Sequence, residues 1–146
     1  MAEHEKSVLF LCTGNSARSL LAECQLQRLG HGRFRAYSAG SQPKAAPHPQ
    51  ALALLRELGY ATAKLRSKSW DEFVGPGSPA IDLVVTVCDA AAGEACPLFP
   101  GSPARLHWNI DDPAAVRGSE AEVRAEFRCA YDALERRIEA LVKAYA

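Results

Sequence analysis

Apolar residues follow two spacings along the chain, one typical of buried strands and one typical of amphipathic helices. Continuous or alternating apolar runs predict four strands, over 7–12, 34–38, 81–88 and 105–108. Helical spacing appears over 19–29, 51–58 and 119–145, and their end signals are Gly30, Pro49, Gly59 and the Ser119–Glu122 capping box. A further short helix over 66–73, capped by Ser67 or Ser69, is also predicted.

The alternation of strands and helices predicts an α/β fold. Right-handed crossovers then give a twisted four-stranded parallel sheet with helices on both faces, a three-layer sandwich. We expect one domain over 1–146 with strand order 2-1-3-4, which places strands 1 and 3 side by side. Ligands of such sheets bind outside the carboxyl ends of the strands, so the residues that follow strands 1 and 3 are the first candidates for a site.

Composition narrows the function classes. Of the 146 residues 48% are hydrophobic, and 17 basic side chains balance 17 acidic ones, so neither nucleic acid nor a membrane is an expected partner. The charged N-terminus resembles no export signal, and no apolar run approaches the ~18 residues of a membrane span, which predicts a cytoplasmic protein. The five cysteines are an odd number, which favours reduced or redox-active thiols over a disulfide framework.

The first cysteine opens the most informative motif. Residues 12–19 read Cys-Thr-Gly-Asn-Ser-Ala-Arg-Ser and lie between the first strand and the first helix. Such a turn directs backbone N–H groups and the positive end of the helix dipole at a bound anion, so we expect Cys12 to be a nucleophilic thiolate. The expected oxyanion-binding residues are Thr13, Gly14, Asn15, Ser16, Ala17, Arg18 and Ser19. The alternative is an inert structural cysteine.

Two further cysteines bracket a loop of small residues. Cys88 ends the third strand and Cys96 follows after seven residues that include Gly93, a composition with little capacity for core packing. If strands 1 and 3 are neighbours, Cys88 lies near Cys12, and the chain is suited to a thiol relay. Alternatively, Cys88 only terminates a buried strand and Cys96 is incidental. Zinc is less favoured, because the histidines show no ligand spacing.

Residues 8–23 resemble the phosphate-binding loop shared by low-molecular-weight protein tyrosine phosphatases and the arsenate reductases built on the same fold. Segments 37–40, 66–69, 85–89, 96–97, 107–108 and 111–113 are similar to arsenate reductase in order and spacing. The phosphatases instead carry tyrosine after the Asp-Pro pair, where this chain has Ala114-Ala115. One departure is Ala17, where several arsenate reductases have a further cysteine outside the relay.

The resemblance implies a mechanism. Cys12 attacks arsenate held by the loop and Arg18, and Asp112 acts as the general acid, with Asp111 as its rival. A Cys12–Cys88 disulfide releases arsenite, and exchange with Cys96 then gives Cys88–Cys96.

The resemblance also implies partners. Thioredoxin is the expected reductant, with glutaredoxin or a low-molecular-weight thiol such as mycothiol as alternatives, and a monomer without a cofactor is expected. Some members suggest a potassium site beneath the loop, for which Asn15, Glu23 and Ser38 are candidate ligands.

Two other functions compete with arsenate reduction. A phosphatase acting through a Cys12 phosphoenzyme could use the same loop, Arg18 and Asp112, but it needs neither Cys88 nor Cys96. A non-enzymatic oxyanion-binding or redox-sensing module would not need Asp112. Cys24, on an apolar helix face, is interpreted as a core residue, and Cys129, in the last helix, is remote from every motif.

Overall fold

The computed structural model describes residues 5–87, 99 and 103–145. It contains a four-stranded parallel sheet of β1 (Lys6–Leu11), β2 (Phe34–Ala39), β3 (Leu83–Thr86) and β4 (Ala104–His107) in the order β2-β1-β3-β4. The predicted order is therefore confirmed. Leu11 pairs with both Ala39 and Thr86, so β2, β1 and β3 end together at one rim of the sheet.

Three α-helices are present among the described residues: α1 (Arg18–Leu29), α2 (Pro49–Glu57) and α3 (Glu120–Ala144). The predicted capping box at the start of α3 is confirmed, with Ser119 Oγ accepting from the Glu122 N–H at 3.1 Å. No helix in the described ranges is long and apolar enough to cross a membrane.

Alternate residues of β1 serve two hydrophobic clusters, as the pleat of a strand requires. Val8 and Phe10 point to the face where the buried residues of all three α-helices pack. Leu9 and Leu11 point to the opposite face, where they pack with Phe73 of the 3₁₀ helix Trp70–Phe73. Helical segments thus cover both faces, and β1 is fixed from both sides just before Cys12.

Two predicted elements are shorter than expected. The helix over 66–73 is wrong over its first half, and only Trp70–Phe73 is helical, with Ser69 as its N-cap. Lys68 cannot join it because its backbone N–H donates to Asn15 Oδ1 and its carbonyl accepts from Gly40. The strand expected over 81–88 is confirmed only over Leu83–Thr86; Cys88 lies outside the described residues.

Candidate functional site

The loop between β1 and α1 turns its carbonyl groups outward. Three of these carbonyls accept backbone hydrogen bonds of 2.8–2.9 Å from a neighbouring segment. The N–H groups of Gln42, Lys44 and His48 donate to the carbonyls of Thr13, Gly14 and Ser16, respectively. In a trans peptide the N–H points opposite to the C=O, so the N–H groups that follow these carbonyls point inward. The loop backbone is therefore oriented to receive an anion.

The first turn of α1 adds to this field. Ala17 occupies the N-cap position without any side-chain cap, and the first turn contains no acidic residue. The positive end of the helix is therefore available to a negatively charged ligand. Ala17, the departure from several arsenate reductases, is buried in the hydrophobic core and brings no polar side chain to the loop.

Cys12 is buried, with 5% of its surface exposed, and its Sγ lies 3.0 Å from Ser19 Oγ. Ser19 Oγ also accepts a hydrogen bond of 2.8 Å from Asn15 Nδ2. The Ser19 hydroxyl therefore links the Asn15 amide to the Cys12 sulfur in one chain of buried polar groups. Asn15 has φ of 45°, a left-handed conformation that asparagine tolerates better than most residues.

Arg18 and Asp112 meet at the mouth of the loop. The Arg18 guanidinium donates to the Ile110 carbonyl at 2.9 Å, and its Nη2 lies 3.6 Å from Asp112 Oδ2. The Asp112 carboxylate also accepts from the Ala114 N–H at 3.0 Å, which fixes it at the start of a short 3₁₀ turn. Its side chain remains 42% exposed, so it can exchange protons with solvent.

A cavity of about 430 Å³ opens over the loop. Its described lining contains polar, charged and small side chains and no aromatic one: Cys12, Thr13, Gly14, Ser16, Ala17, Arg18, Gln42, Lys44, Asp112 and Ala114. Asp111 instead lines a separate cavity beside α3. The structure thus brings the predicted loop residues together with Asp112 and separates them from its rival.

Gln42 and Lys44 are site residues that sequence reasoning missed. Lys44 lies over Gly14, where its Cε would be 3.3 Å from an added Cβ, and brings a cation to the cavity. Neither residue belongs to a motif, and both reach the loop only because residues 42–48 hydrogen-bond along it.

The relay cysteines cannot be placed. Cys88 and Cys96 both lie outside the described residues. The described chain reaches Val87, whose N–H donates to the Leu11 carbonyl at 2.9 Å. Val87 and Leu11 are the residues immediately before Cys88 and Cys12 in the sequence.

The three candidate potassium ligands do cluster beneath the loop. Ser38 Oγ donates to Glu23 Oε1, and both Ser38 and Asn15 are fully buried. The Lys68 ammonium lies among the same oxygens, 3.8 Å from Glu23 Oε1. Burial raises the pKa of Glu23 and lowers the pKa of Lys68, while their mutual attraction acts in the opposite direction on each.

The other described cysteines do not join the site. Cys24 is partly buried on α1, and burial raises the pKa of its thiol to about 12, so it remains protonated. Cys129 is exposed on α3. Within the described ranges no group of three or more histidine, cysteine, aspartate or glutamate side chains could hold a metal ion.

Comparison with known proteins places these features in a family. The model of the low molecular weight phosphotyrosine protein phosphatases matches residues 7–146. An arsenate reductase of Halalkalibacterium halodurans is 36% identical over 135 residues, which are 92% of this chain and 94% of that protein.

Solved structures agree. An arsenate reductase in the phosphate binding state has a TM-score of 0.74 at 26% identity and covers 97% of this chain and 99% of its own. The thioredoxin-dependent arsenate reductase of Corynebacterium glutamicum has a TM-score of 0.70 and covers 99% of this chain and 63% of its own. At 24% identity the latter likeness concerns the fold alone.

Proposed function

We propose that this chain, which belongs to the low molecular weight phosphotyrosine protein phosphatase family, reduces arsenate to arsenite. The observation that carries the proposal is the cavity over the loop, which has Cys12 at its base and a described lining without aromatic side chains. Such a site suits a small tetrahedral oxyanion better than an aryl phosphate, whose ring needs flat apolar walls. The identity with the curated arsenate reductase supports the same assignment.

The first step is attack of the Cys12 thiolate on arsenic. The inward N–H groups of the loop, the start of α1 and Arg18 neutralise the negative charge of arsenate, which allows an anionic sulfur to approach it. An S–As bond forms and one As–O bond breaks. Arsenic remains pentavalent at this stage, so no electrons have yet been transferred.

Asp112 supplies the proton for the departing oxygen. Its carboxyl group lines the cavity that contains Cys12, and its exposure allows reprotonation from solvent. General acids of this kind contribute typically about 10²–10⁴-fold to rate. Asp111 lines the cavity beside α3 and is assigned no role in the reaction.

The second step transfers two electrons. The Cys88 thiol attacks the Cys12 sulfur, the S–As bond breaks, and arsenic leaves with the electron pair as arsenite while a Cys12–Cys88 disulfide forms. Cys96 then attacks the Cys88 sulfur and releases the Cys12 thiolate. The hydrogen bond from Val87 to Leu11 supports this order, because Cys88 and Cys12 are the next residues along the two neighbouring strands.

The remaining Cys88–Cys96 disulfide needs an external dithiol. We infer that thioredoxin reduces it, since thioredoxins exchange with accessible protein disulfides and the Corynebacterium glutamicum protein of the same fold is thioredoxin-dependent. A glutaredoxin or a low-molecular-weight thiol would complete the same stoichiometry. Arsenite release measured with each reductant alone separates these sources.

The decisive experiment blocks the relay at its last step. Cys96→Ser should reduce about one equivalent of arsenate and then stop with Cys12 joined to Cys88, because no thiol remains to carry the disulfide outward. Non-reducing peptide mapping detects that bond. Cys129→Ser, which removes an exposed cysteine of α3, is the matched control and should turn over like the wild type. Continuous turnover by Cys96→Ser with thioredoxin as the sole reductant would contradict the three-cysteine scheme.

Hydrolysis of phosphomonoesters is the second candidate function. The family model, the loop and Arg18 fit a Cys12 phosphoenzyme equally well. Aryl phosphate hydrolysis measured beside arsenite production distinguishes the two functions. Cys88→Ser should abolish arsenite production and leave aryl phosphate hydrolysis unchanged. A protein that hydrolyses an aryl phosphate and releases no arsenite would be a phosphatase.

A further inference from the structure

The Lys68 ammonium lies in a cage of oxygen atoms beneath the oxyanion-binding loop. Its Nζ donates to the carbonyls of Ser38 at 2.9 Å and Arg66 at 3.0 Å. Ser38 Oγ and Asn15 Oδ1 lie at 3.3 Å and 3.4 Å, and Glu23 Oε1 lies at 3.8 Å. Only 12% of the Lys68 side chain is exposed, so its charge is stabilised chiefly by these oxygens.

This cage does not fit an additional potassium ion. The candidate potassium ligands Asn15, Glu23 and Ser38 already surround an ammonium group, whose size and preference for oxygen resemble those of potassium. A second cation at the same oxygens would meet a like charge at contact distance. The residues present therefore provide a cation of their own.

The cage is also connected to the nucleophile. Lys68 can only donate hydrogen bonds, and both its backbone N–H and its Nζ meet Asn15 Oδ1. Asn15 must therefore present its Nδ2 to Ser19, whose Oγ lies 3.0 Å from the Cys12 Sγ. Lys68 at one end of this chain is thus linked through the Asn15 and Ser19 side chains to the Cys12 sulfur.

We propose that Lys68 is a built-in monovalent cation of the oxyanion-binding loop and a positioning residue for the Cys12 thiolate. It takes the place of a potassium ion, so the loop of this protein does not depend on potassium. Its fixed charge balances Glu23, and its contact with Asn15 Oδ1 joins it to the side-chain network of Asn15, Ser19 and Cys12. This role is the same whether the bound oxyanion is arsenate or phosphate.

Neighbouring groups hold the cage in place. The Arg66 guanidinium forms two hydrogen bonds with the Glu72 carboxylate at 2.6 Å and 2.8 Å, which fixes the residue whose carbonyl accepts from Nζ. The Lys68 carbonyl accepts from Gly40 at 2.9 Å and anchors the segment to the end of β2. Removal of the ammonium should therefore leave a pre-formed set of oxygens that an external cation can enter.

The first test measures thermal unfolding in potassium, ammonium and choline chloride at equal ionic strength. Lys68→Ala should lose roughly 5–10 °C of the midpoint in choline chloride, and most of that loss should be recovered in potassium or ammonium chloride. The wild type should have the same midpoint in all three salts. Lys68→Met, which fills the space without a charge, should be destabilised without recovery, and Lys64→Ala, at an exposed lysine, should resemble the wild type.

The second readout is the pH profile of Cys12 alkylation by iodoacetamide, followed on the Cys12 peptide by mass spectrometry. With the positive charge beneath the loop removed, alkylation of Lys68→Ala at neutral pH should be about fivefold slower in choline chloride, and potassium should restore it. If Lys68→Ala merely lost structure, potassium would not restore Cys12 alkylation more than the larger choline ion does. Neither readout uses arsenate turnover, so failure here is separable from failure of the proposed activity.

Three results would overturn the proposal. One is a wild-type midpoint that rises specifically with potassium, which needs no variant and would mean that the ion has its own site. Another is Lys68→Ala with wild-type stability and alkylation in choline chloride. The third is an equal loss of stability and alkylation in all three salts.

Discussion

Gly40→Ala is the sharpest test of how the loop is supported. A Cβ at this position would lie 2.4 Å from the Thr13 carbonyl oxygen, 2.7 Å from that of Cys12 and 3.1 Å from the Asn15 nitrogen. All three are backbone atoms of the oxyanion-binding loop, so no side chain can rotate away. Gly40 itself cannot retreat, because its N–H donates to Lys68 and its carbonyl accepts from Trp70.

The size of the effect follows from this geometry. Relief of the closest contact from 2.4 Å to 3.0 Å needs a displacement of at least about 0.6 Å. Overpacking of this kind costs about 1–3 kcal/mol of stability. Two of the three contacts are shorter than 3.0 Å, which places Gly40→Ala at the upper end of that range. The unfolding midpoint should therefore fall by roughly 6–12 °C. A loop misplaced by ~1 Å can lose about 10²-fold in rate.

The assay compares Gly40→Ala with Gly75→Ala. An added Cβ at Gly75 meets no atom within 4 Å, so that variant should be as stable as the wild type or slightly more stable. Calorimetry should show phosphate binding weakened by about tenfold or more in Gly40→Ala and unchanged in Gly75→Ala. Wild-type midpoint and phosphate affinity in Gly40→Ala would refute the close approach of β2 to the loop.

Two further predictions concern protons. Asp112→Asn should lower the rate of arsenate turnover by about 10²-fold or more while phosphate affinity changes little, and Asp111→Asn should do much less; the reverse ranking would transfer the general acid to Asp111. Burial lowers the pKa of His48, whose Nδ1 accepts from the Gln50 N–H at the start of α2. Because the unfolded chain binds that proton more tightly, stability should fall as the pH drops from 7 through the ordinary histidine pKa of about 6.5, and chemical denaturation should show a smaller loss in His48→Asn. Identical pH profiles of the two proteins would remove His48 from this dependence.

Most of the helices and strands could be predicted from patterns of adjacent residues. The capping box of Ser119 and Glu122 lies within one helical turn, so the start of α3 could be read from adjacent residues. The predicted start of β3 was two residues early because Asp82 stands between Ile81 and a nearly continuous apolar run. In the structure its carboxylate accepts from the Ser7 N–H at 2.8 Å, a contact across 75 residues that no local pattern reveals.

Some residues of the candidate site could likewise be predicted from adjacent sequence, and others reach it only through the tertiary structure. The loop from Cys12 to Arg18 is contiguous, so its place between a strand and a helix start could be predicted from adjacent residues. Gln42 and Lys44 reach the cavity only after β2 has paired with β1, and nothing in their own residue types marks them. Sequence reasoning therefore described the anion-binding backbone and missed the part of the cavity lining that Gln42 and Lys44 form.

Lys68 shows why a ligand set alone does not determine its occupant. Asn15, Glu23 and Ser38 carry oxygen atoms of the kind that binds a cation, and the family resemblance suggested them as candidate potassium ligands. What the sequence could not supply was the distance from Lys68 Nζ to these atoms, which depends on the pairing of Gly40 with Ser69 at the end of β2. That bridge brings Lys68 to oxygen atoms of residues 30 to 53 positions earlier in the chain. Because the Lys68 ammonium is itself a cation, its arrival turns a site that could bind an external cation into one that already contains a cation.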